Sequence, residues 1–319
     1  MKNVVFWLNC SRAFSLPITV MSWLVVFLYA MQSGGNVLNG VLALIGVALA
    51  HLAGNLTDDY IDYGILSKDE KMMNSAVKTK CCFIRDGSVS LKDILKVIIL
   101  YSAAALLIGV FLFIRSGEGV IWLTIAGGIL TLTYARFSMI GMSEVIIGLL
   151  FGPLMFEGIY YVMKKTFSFD VLILSIAVVM FTLAFLYVHT LLDFDSDQTS
   201  HKRTLCCRIG DKNKALFVLA VFYTIGYLAA GYFGVLTGSY AVLISFLTIP
   251  MAVNVFKLIK RYNGDKTFEP VINWYNQPLD NWDAVKAEGT ETFYFVLFQA
   301  RNLMMWFCVL FCFGILLKF

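Results

Sequence analysis

Long apolar runs alternate with short polar stretches along the whole chain. Nine of these runs have the length of about 17 to 25 residues that a helix needs to cross a bilayer. They lie near 15–33, 37–56, 94–114, 118–135, 143–162, 169–190, 214–235, 238–258 and 302–318. The sequence has no alternating ten-residue segments of the kind that form a membrane barrel. The pattern therefore predicts an all-α polytopic membrane protein with nine transmembrane helices.

The polar stretches between these runs leave no room for a soluble domain. The longest cover about 57–93, 191–213 and 259–293, so we interpret residues 1–319 as a single membrane-embedded domain. The first run follows a short polar start without a small-residue cleavage site, which favours a retained span over a signal peptide. Residues 261–292 mix aromatic and charged side chains, which is typical of an interfacial loop or a short amphipathic helix. This segment is either a lid over a site or a surface connector.

The composition supports the membrane class and predicts an orientation. Hydrophobic residues make up 59% of the chain and charged residues 14%, against about a quarter charged in soluble domains. Lys and Arg concentrate after the second, sixth and eighth runs, whereas the opposite connections carry only Arg115, Lys164 and Lys165. By the positive-inside rule, we expect the N-terminus and the basic connections to face the cytoplasm. This asymmetry accounts for the net charge of +4 without a nucleic-acid partner.

Acidic residues gather at the cytoplasmic ends of the second and sixth runs. The first cluster is Asn55, Asp58, Asp59 and Asp62, and the second is Asp193, Asp195 and Asp197. Spacings of three and four residues within each cluster make its members neighbours on a helix surface. Crowded carboxylates at a helix C-terminus repel one another and the negative end of the helix dipole. A nearby cation is therefore required.

Magnesium is the natural candidate for this cation. It takes oxygen ligands, commonly from one or two carboxylates, and completes its coordination with phosphate oxygens and water. Two clusters on one side of the membrane predict two metal positions that face one diphosphate. The alternative is that these acids are solvated, or pair only with neighbouring Lys and Arg side chains.

Basic residues close to the clusters are candidates for phosphate binding. Lys202 and Arg203 follow the second cluster and either neutralise phosphate oxygens or contribute only to topology. Arg136 lies beside Tyr134 at the cytoplasmic end of the fourth run, where it either contacts phosphate or extends to the membrane interface.

Two adjacent cysteine pairs, Cys81-Cys82 and Cys206-Cys207, fall in the basic connections. Disulfides rarely persist in the cytoplasm, and the usual spacing of two to four residues between paired zinc ligands is missing. Small packing residues are therefore favoured over a zinc site.

The acidic clusters and their flanks resemble the UbiA-type integral membrane prenyltransferases, whose hallmark is two aspartate-rich motifs after the second and sixth of nine helices. The segment NLTDDYIDY is similar to the NLxNDYxD motif, and DFDSDQTSHKRTLCCRIG to the DxDxDxxxGKRTLAxRLG motif, of the branch that prenylates 1,4-dihydroxy-2-naphthoate in menaquinone synthesis. The resemblance extends to SRAFSLP before the first run, GMSEVIIGLLFGPLM opening the fifth and ARNLMMWF opening the ninth. The chain departs from that branch at Asp58, His201 and Cys206-Cys207.

The resemblance implies a site and a reaction. Asp59 and Asp62 would bind one magnesium ion, and Asp193 and Asp197 the other. Asn55 would support the first motif, and Lys202 and Arg136 would contact the diphosphate. Asp58, Tyr134 and Arg203 lie close to these positions in the sequence and are further candidates for binding the metal–diphosphate complex. A polyprenyl diphosphate would donate its prenyl group to an aromatic acceptor, expected to be 1,4-dihydroxy-2-naphthoate, with loss of CO2 and diphosphate.

The same resemblance implies an enzyme of the bacterial inner membrane, with its active site facing the cytoplasm. Two other interpretations stay open. One is a UbiA-type prenyltransferase with another aromatic acceptor, of the 4-hydroxybenzoate, porphyrin or chlorophyll type. The other is an ion-coupled membrane transporter, which predicts acids near the membrane midplane and broken helices in two halves.

Overall fold

The computed structural model describes residues 3–68, 81–199 and 204–317, and within these ranges the chain forms helices and no strand. The long helices are α1 (Leu16–Gln32), α2 (Val37–Leu66), α3 (Leu91–Ser116), α4 (Gly119–Met139), α5 (Ser143–Lys164), α6 (Phe169–Leu192), α7 (Lys212–Thr237), α8 (Ile249–Gly264) and α9 (Glu291–Leu316). A 3-10 helix, Tyr240–Thr248, leads directly into α8. Short helices cover Val4–Cys10, Cys82–Arg85, Phe194–Thr199, Leu205–Ile209 and Trp282–Ala287. The predicted all-α class is confirmed.

Eight stretches of the described chain are long and apolar enough to cross a membrane. They contain α1, α2, α3 and α5 to α9, and they mark the chain as an integral membrane protein. In α4, the apolar stretch Gly119–Tyr134 is shorter than the other eight. The count of nine spans therefore stays a prediction.

Two helices are longer than the apolar runs that predicted them. α2 continues for 30 residues to Leu66, so the first acid cluster lies on the helix, as its three- and four-residue spacings predicted. α9 begins at Glu291 and not at residue 302, so ARNLMMWF lies inside α9. The predicted start of α9 was wrong because an apolar run stops at polar side chains, whereas a helix continues where those side chains find partners.

α6 and α9 form the centre of the bundle. Buried residues make up 72% of the apolar window in α6 and 78% in α9, but only 6% in α3, which faces outward. Phe181 of α6 stacks on Phe307 of α9 with their ring centroids 3.9 Å apart. Gly226 of α7 permits this packing, because a Cβ atom there would lie 2.8 Å from the Phe181 ring. The second acid cluster, at the end of α6, thus has a tightly packed support.

α5 contains a break close to the first acid cluster. Residues Leu150–Leu154 form a π-helical turn in which Gly152 has non-helical backbone angles and Pro153 follows. Proline removes a backbone donor, and π turns and prolines are common causes of helix distortion. The distorted turn places the Phe151 ring edge-on to His51 of α2, with 5.3 Å between centroids.

The segment between α8 and α9 is fastened to α9 by hydrogen bonds. Asn302 donates to the carbonyl oxygen of Asn276 at 2.6 Å, and Arg301 donates to that of Pro278 at 2.7 Å. The amide of Asn276 donates in turn to Gln299 at 2.6 Å. Because loop carbonyls satisfy these buried side chains, polar residues are accommodated in the middle of α9.

The chain connections bring one end of every long helix together at what we call the polar end of the bundle. It comprises the starts of α1, α3, α5, α7 and α9 and the ends of α2, α4, α6 and α8. Arg208, before α7, donates to the carbonyl oxygen of Ile140, before α5, at 2.8 Å. Lys212 of α7 and Lys266 after α8 both reach Asp195, after α6. Both acid clusters lie at this end.

Candidate active site

The first acid cluster is paired with an arginine from the chain before α1. One guanidinium nitrogen of Arg12, Nη2, bonds Oδ1 of Asp59, and Nη1 lies 3.4 Å from Oδ2 of Asp58. The side chains of Asp59, Asp58 and Arg12 are 11%, 24% and 32% exposed. Sequence reasoning noted Arg12 as part of the SRAFSLP segment and did not assign it to the site.

The charge of Arg12 is stabilised in this position. Burial alone lowers the pKa of its guanidinium, but the carboxylates of Asp59 and Asp58 raise that pKa further, so the net shift is upward. The guanidinium of Arg12 therefore stays cationic beside these two side chains. The first cluster is already a cation-binding set of oxygen atoms.

Polar side chains of α2 hold the segment that carries Arg12. Asn55 donates to the carbonyl oxygen of Ser11 at 3.0 Å and to the Ser15 hydroxyl at 3.1 Å. The same hydroxyl lies 3.1 Å from Nε2 of His51 and donates to the carbonyl oxygen of Arg12 at 2.8 Å. Asn55 therefore supports the first cluster through residues 11–15.

The second acid cluster follows the C-terminal end of α6. Asp193 is the C-cap of α6, its side chain is 13% exposed, and its Oδ2 lies 3.7 Å from Nε2 of His189. One turn later, the backbone of Asp197 donates to the carbonyl oxygen of Asp193 at 2.8 Å. Asp197 is 3% exposed. The acids at positions 193 and 197 are thus withdrawn from solvent on a helical turn.

Asp195 lies between these two acids in sequence and has different surroundings. Its side chain is half exposed, and Lys212 and Lys266 each approach it to 2.9 Å. The hydrogen bonds from Lys212 and Lys266 lower the pKa of this carboxyl group. Asp195 therefore ties α6 to α7 and to the chain after α8.

Tyr134 and Glu144 occupy the region between the clusters. The Tyr134 hydroxyl at the end of α4 lies within electrostatic range of Asp58, Asp62 and Glu144. Glu144, at the start of α5, is 8% exposed and lies within electrostatic range of Cys206 beside the second cluster. Glu144 had been noted only as part of a motif.

The remaining predicted residues are described in part or not at all. Lys202 and Arg203 lie outside the described residues. Arg136 falls in the last turn of α4, and only its backbone position is described.

The described residues alone do not supply a full set of ligands for a metal ion at this site. Among the residues that the structure describes, no three His, Cys, Asp or Glu side chains form a group that could hold a metal ion. The two cysteine pairs thus provide no zinc site within that part of the chain. Magnesium suits two carboxylates per position, because it normally takes its other ligands from water and phosphate.

Comparisons with known proteins agree with this architecture. Residues 15–276 match the UbiA prenyltransferase family. No curated protein sequence matches the chain.

Several solved structures share the fold. A digeranylgeranylglyceryl phosphate synthase has a TM-score of 0.60 at 14% identity, with 99% of each chain covered. A UbiA homologue from Aeropyrum pernix K1, solved without ligand, has a TM-score of 0.58 at 15% identity, with 90% of this chain and 94% of that chain covered. A UbiA homologue from Archaeoglobus fulgidus, bound to GPP and Mg2+, has a TM-score of 0.58 at 13% identity, with 93% of this chain and 99% of that chain covered.

Proposed function

Because the chain belongs to the UbiA prenyltransferase family, we propose that it transfers a polyprenyl group from an isoprenoid diphosphate to 1,4-dihydroxy-2-naphthoate, in the cytoplasmic half of a bacterial inner membrane. The observation that carries the proposal is the pair of acid clusters at one end of the bundle, one of which already binds a cationic side chain. The Archaeoglobus fulgidus homologue is bound to GPP and Mg2+, which supports an isoprenoid diphosphate and magnesium as the proposed ligands of this chain.

The donor set fits two magnesium ions. Asp59 and Asp62 would hold one ion and Asp193 and Asp197 the other, each shared with the diphosphate. When bound, the metal supplies positive charge where negative charge develops on the departing diphosphate. Asn55 acts on this arrangement indirectly, because it fixes residues 11–15 against α2.

The residues of the chain would contribute to the reaction in further ways besides binding the metal. Diphosphate departure leaves an allylic cation, which forms a bond to the ring carbon that carries the carboxylate. The bond from that carbon to the carboxylate then breaks, CO2 leaves, and the electron pair of the broken bond restores the aromatic ring. Asp59, Asp193 and Asp197 are largely withdrawn from solvent, which would limit capture of the cation by water. Lys202, Arg203 and Arg136 are assigned to the diphosphate oxygens, and Tyr134 and Asp58 to the metal-bound diphosphate. Apolar helix surfaces receive the prenyl tail without polar partners.

The proposal is tested with the purified chain in detergent, magnesium, radiolabelled polyprenyl diphosphate and 1,4-dihydroxy-2-naphthoate. We expect a prenylated naphthoquinol, which air oxidises to the quinone during extraction, and no product when magnesium is chelated. Asp59→Asn and Asp193→Asn each lower kcat by about 100-fold or more, as expected when a group that stabilises transition-state charge is removed. Asp93→Asn is the matched control, because Asp93 is an exposed acid at the same end that pairs with Lys96.

Two outcomes would revise the proposal in different ways. Product with 4-hydroxybenzoate or another ring, but not with the naphthoate, keeps prenyl transfer and removes the proposed acceptor. Folded protein without turnover for any aromatic acceptor rejects the proposed reaction.

A further inference from the structure

Arg12 makes an unusual contact for a residue near a candidate metal site. Its guanidinium bonds Oδ1 of Asp59, a carboxylate that the proposed function assigns to magnesium. A guanidinium and a divalent cation repel each other strongly at contact distance where solvent is scarce. Magnesium binding at Asp59 therefore favours movement of the guanidinium away from this carboxylate.

The backbone at Arg12 shows that its position is imposed by the surrounding structure. Arg12 has φ 56° and ψ 46°, in the left-handed region, which is uncommon for residues other than glycine. Such a conformation persists only where neighbouring contacts fix it. Here Asn55 and Ser15 bond the backbone on both sides of Arg12. The chain therefore aims this side chain at the acids of α2.

The side chain itself has room to move. It is 32% exposed, whereas that of Asp59 is 11% exposed. Arginine has a long, flexible stem and a fork that matches phosphate as well as carboxylate oxygens. A modest rotation about its side-chain bonds therefore exchanges one anionic partner for another while residues 11–15 stay in place.

We propose that Arg12 neutralises the first cluster when no ligand is bound. Its guanidinium then pairs with Asp58 and Asp59, and it would move to the diphosphate when magnesium binds Asp59. The inference rests on the proposed function, and it adds that Arg12 couples the binding of magnesium to the binding of diphosphate at that site. Magnesium alone must displace Arg12 with no new partner for the guanidinium. Magnesium together with diphosphate provides that partner, so the two ligands bind with positive coupling.

The test measures metal binding without turnover. Mn2+ replaces magnesium, inorganic pyrophosphate replaces the substrate, and free Mn2+ is read by electron paramagnetic resonance with the full chain in detergent. For the natural sequence, pyrophosphate should tighten Mn2+ binding by at least about tenfold, a coupling of ordinary size between two ligand sites.

In Arg12→Gln, Mn2+ alone should bind about tenfold more tightly than in the natural sequence, and pyrophosphate about tenfold more weakly, in keeping with the loss of a charge-assisted contact. Arg12→Lys keeps the charge but loses the fork, so it should shift both affinities in the same directions by less. Arg12→Lys is also the variant to measure if Arg12→Gln fails to fold. Arg115→Gln, which removes an arginine bonded to Asn39 at the opposite end, should leave both affinities unchanged.

The outcomes separate the inference from the proposed function. Unchanged or weaker Mn2+ binding in folded Arg12→Gln, or in Arg12→Lys if only that variant folds, overturns the role of Arg12 while the metal site stands. Absence of Mn2+ binding in the natural sequence, even with pyrophosphate, overturns the magnesium site and this inference with it.

Discussion

Asp193 and Asp195 stand two positions apart and meet different surroundings. Asp193 lies against α6 with its side chain largely withdrawn from solvent, whereas two lysines bind the half-exposed Asp195. Hydrogen bonds from Lys212 and Lys266 lower the pKa of Asp195, so its contribution to stability is complete above its unfolded pKa of about 3.9. This contribution is lost only when the pH falls through the lower, folded value. It is constant across neutral pH.

Residue-level prediction from sequence succeeded where the relevant neighbours are local. The i,i+4 spacing that pairs Asp58 with Asp62 and Asp193 with Asp197 is fixed by helix geometry alone. The pairing of Arg12 with Asp59 joins positions 47 residues apart, and it depends on how α1 approaches α2. No spacing rule reports such a contact.

Cys206 offers a test of its local surroundings. This thiol is fully buried and lies 3.2 Å from Oγ1 of Thr190, and burial raises its pKa to about 11. Because the thiolate is the reactive form, we expect a variant whose only cysteine is Cys206 to react with maleimide about 200-fold more slowly at pH 8 than an ordinary thiol of pKa about 8.5. Labelling in detergent, followed by mass spectrometry from pH 7 to 10, measures this rate.

The pH dependence distinguishes the cause. The labelling rate should rise about tenfold per pH unit up to pH 10, since the thiolate fraction does so below the pKa. A rate that levels off near pH 9 would show an ordinary thiol, and would contradict the burial of Cys206.

At the scale of elements, helix existence was predictable and helix length was not. The eight stretches that qualify as spans coincide with predicted apolar runs, because a membrane core demands continuous apolar helices. The start of α9 was missed by 11 residues, since Gln299, Arg301 and Asn302 are polar in sequence but bonded to residues 276–280 in the fold. The partners come from a different element, so they are invisible in the local pattern.

The contact of α9 with the 3-10 helix Tyr240–Thr248 depends on Gly314. A Cβ atom at Gly314 would lie 2.5 Å from the Cα of Val242 and 2.6 Å from the carbonyl oxygen of Ala241. Both are backbone atoms, so Gly314→Ala must separate the two elements. We expect a destabilisation of about 1–3 kcal/mol, the usual range for overpacking, measured as a lower midpoint of thermal unfolding in detergent.

Gly109→Ala is the matched control for this substitution. A Cβ atom at Gly109 of α3 meets nothing within 4 Å, and alanine favours the helix. Its midpoint should be unchanged or higher. Equal midpoints for Gly314→Ala and the natural sequence would mean that the two elements do not pack as closely as described.

At the scale of the whole molecule, the connections at the polar end carry most of the positive charge. The connections after α2, α6 and α8 hold the Lys and Arg clusters, whereas Arg115, Lys164 and Lys165 lie toward the other end. The sequence was sufficient to propose which end faces the cytoplasm, because this asymmetry acts during insertion and needs no tertiary contact. The arrangement of helices around α6 and α9 required the structure, since apolar runs do not reveal which of their faces are buried.

The orientation is tested with two single-cysteine variants in an otherwise cysteine-free chain. Glu118→Cys lies between α3 and α4, and Glu288→Cys lies between α8 and α9; both positions are exposed. A membrane-impermeant maleimide added to intact bacterial cells should label position 118 at once and position 288 only after lysis. The reverse pattern would place the polar end outside the cell.

The uninterrupted length of α2 also affects how the enzyme meets its substrate. Thirty residues extend over about 45 Å at 1.5 Å per residue, whereas the hydrocarbon core is about 30 Å thick. The last turns of α2, with their acids, therefore reach the depth of the lipid phosphates. In the proposed reaction, a prenyl diphosphate anchored by its tail would present its own phosphates at that depth, so its search for the protein would be two-dimensional. Turnover should then follow the mole fraction of substrate among the lipids, and inert lipid should slow the enzyme by surface dilution.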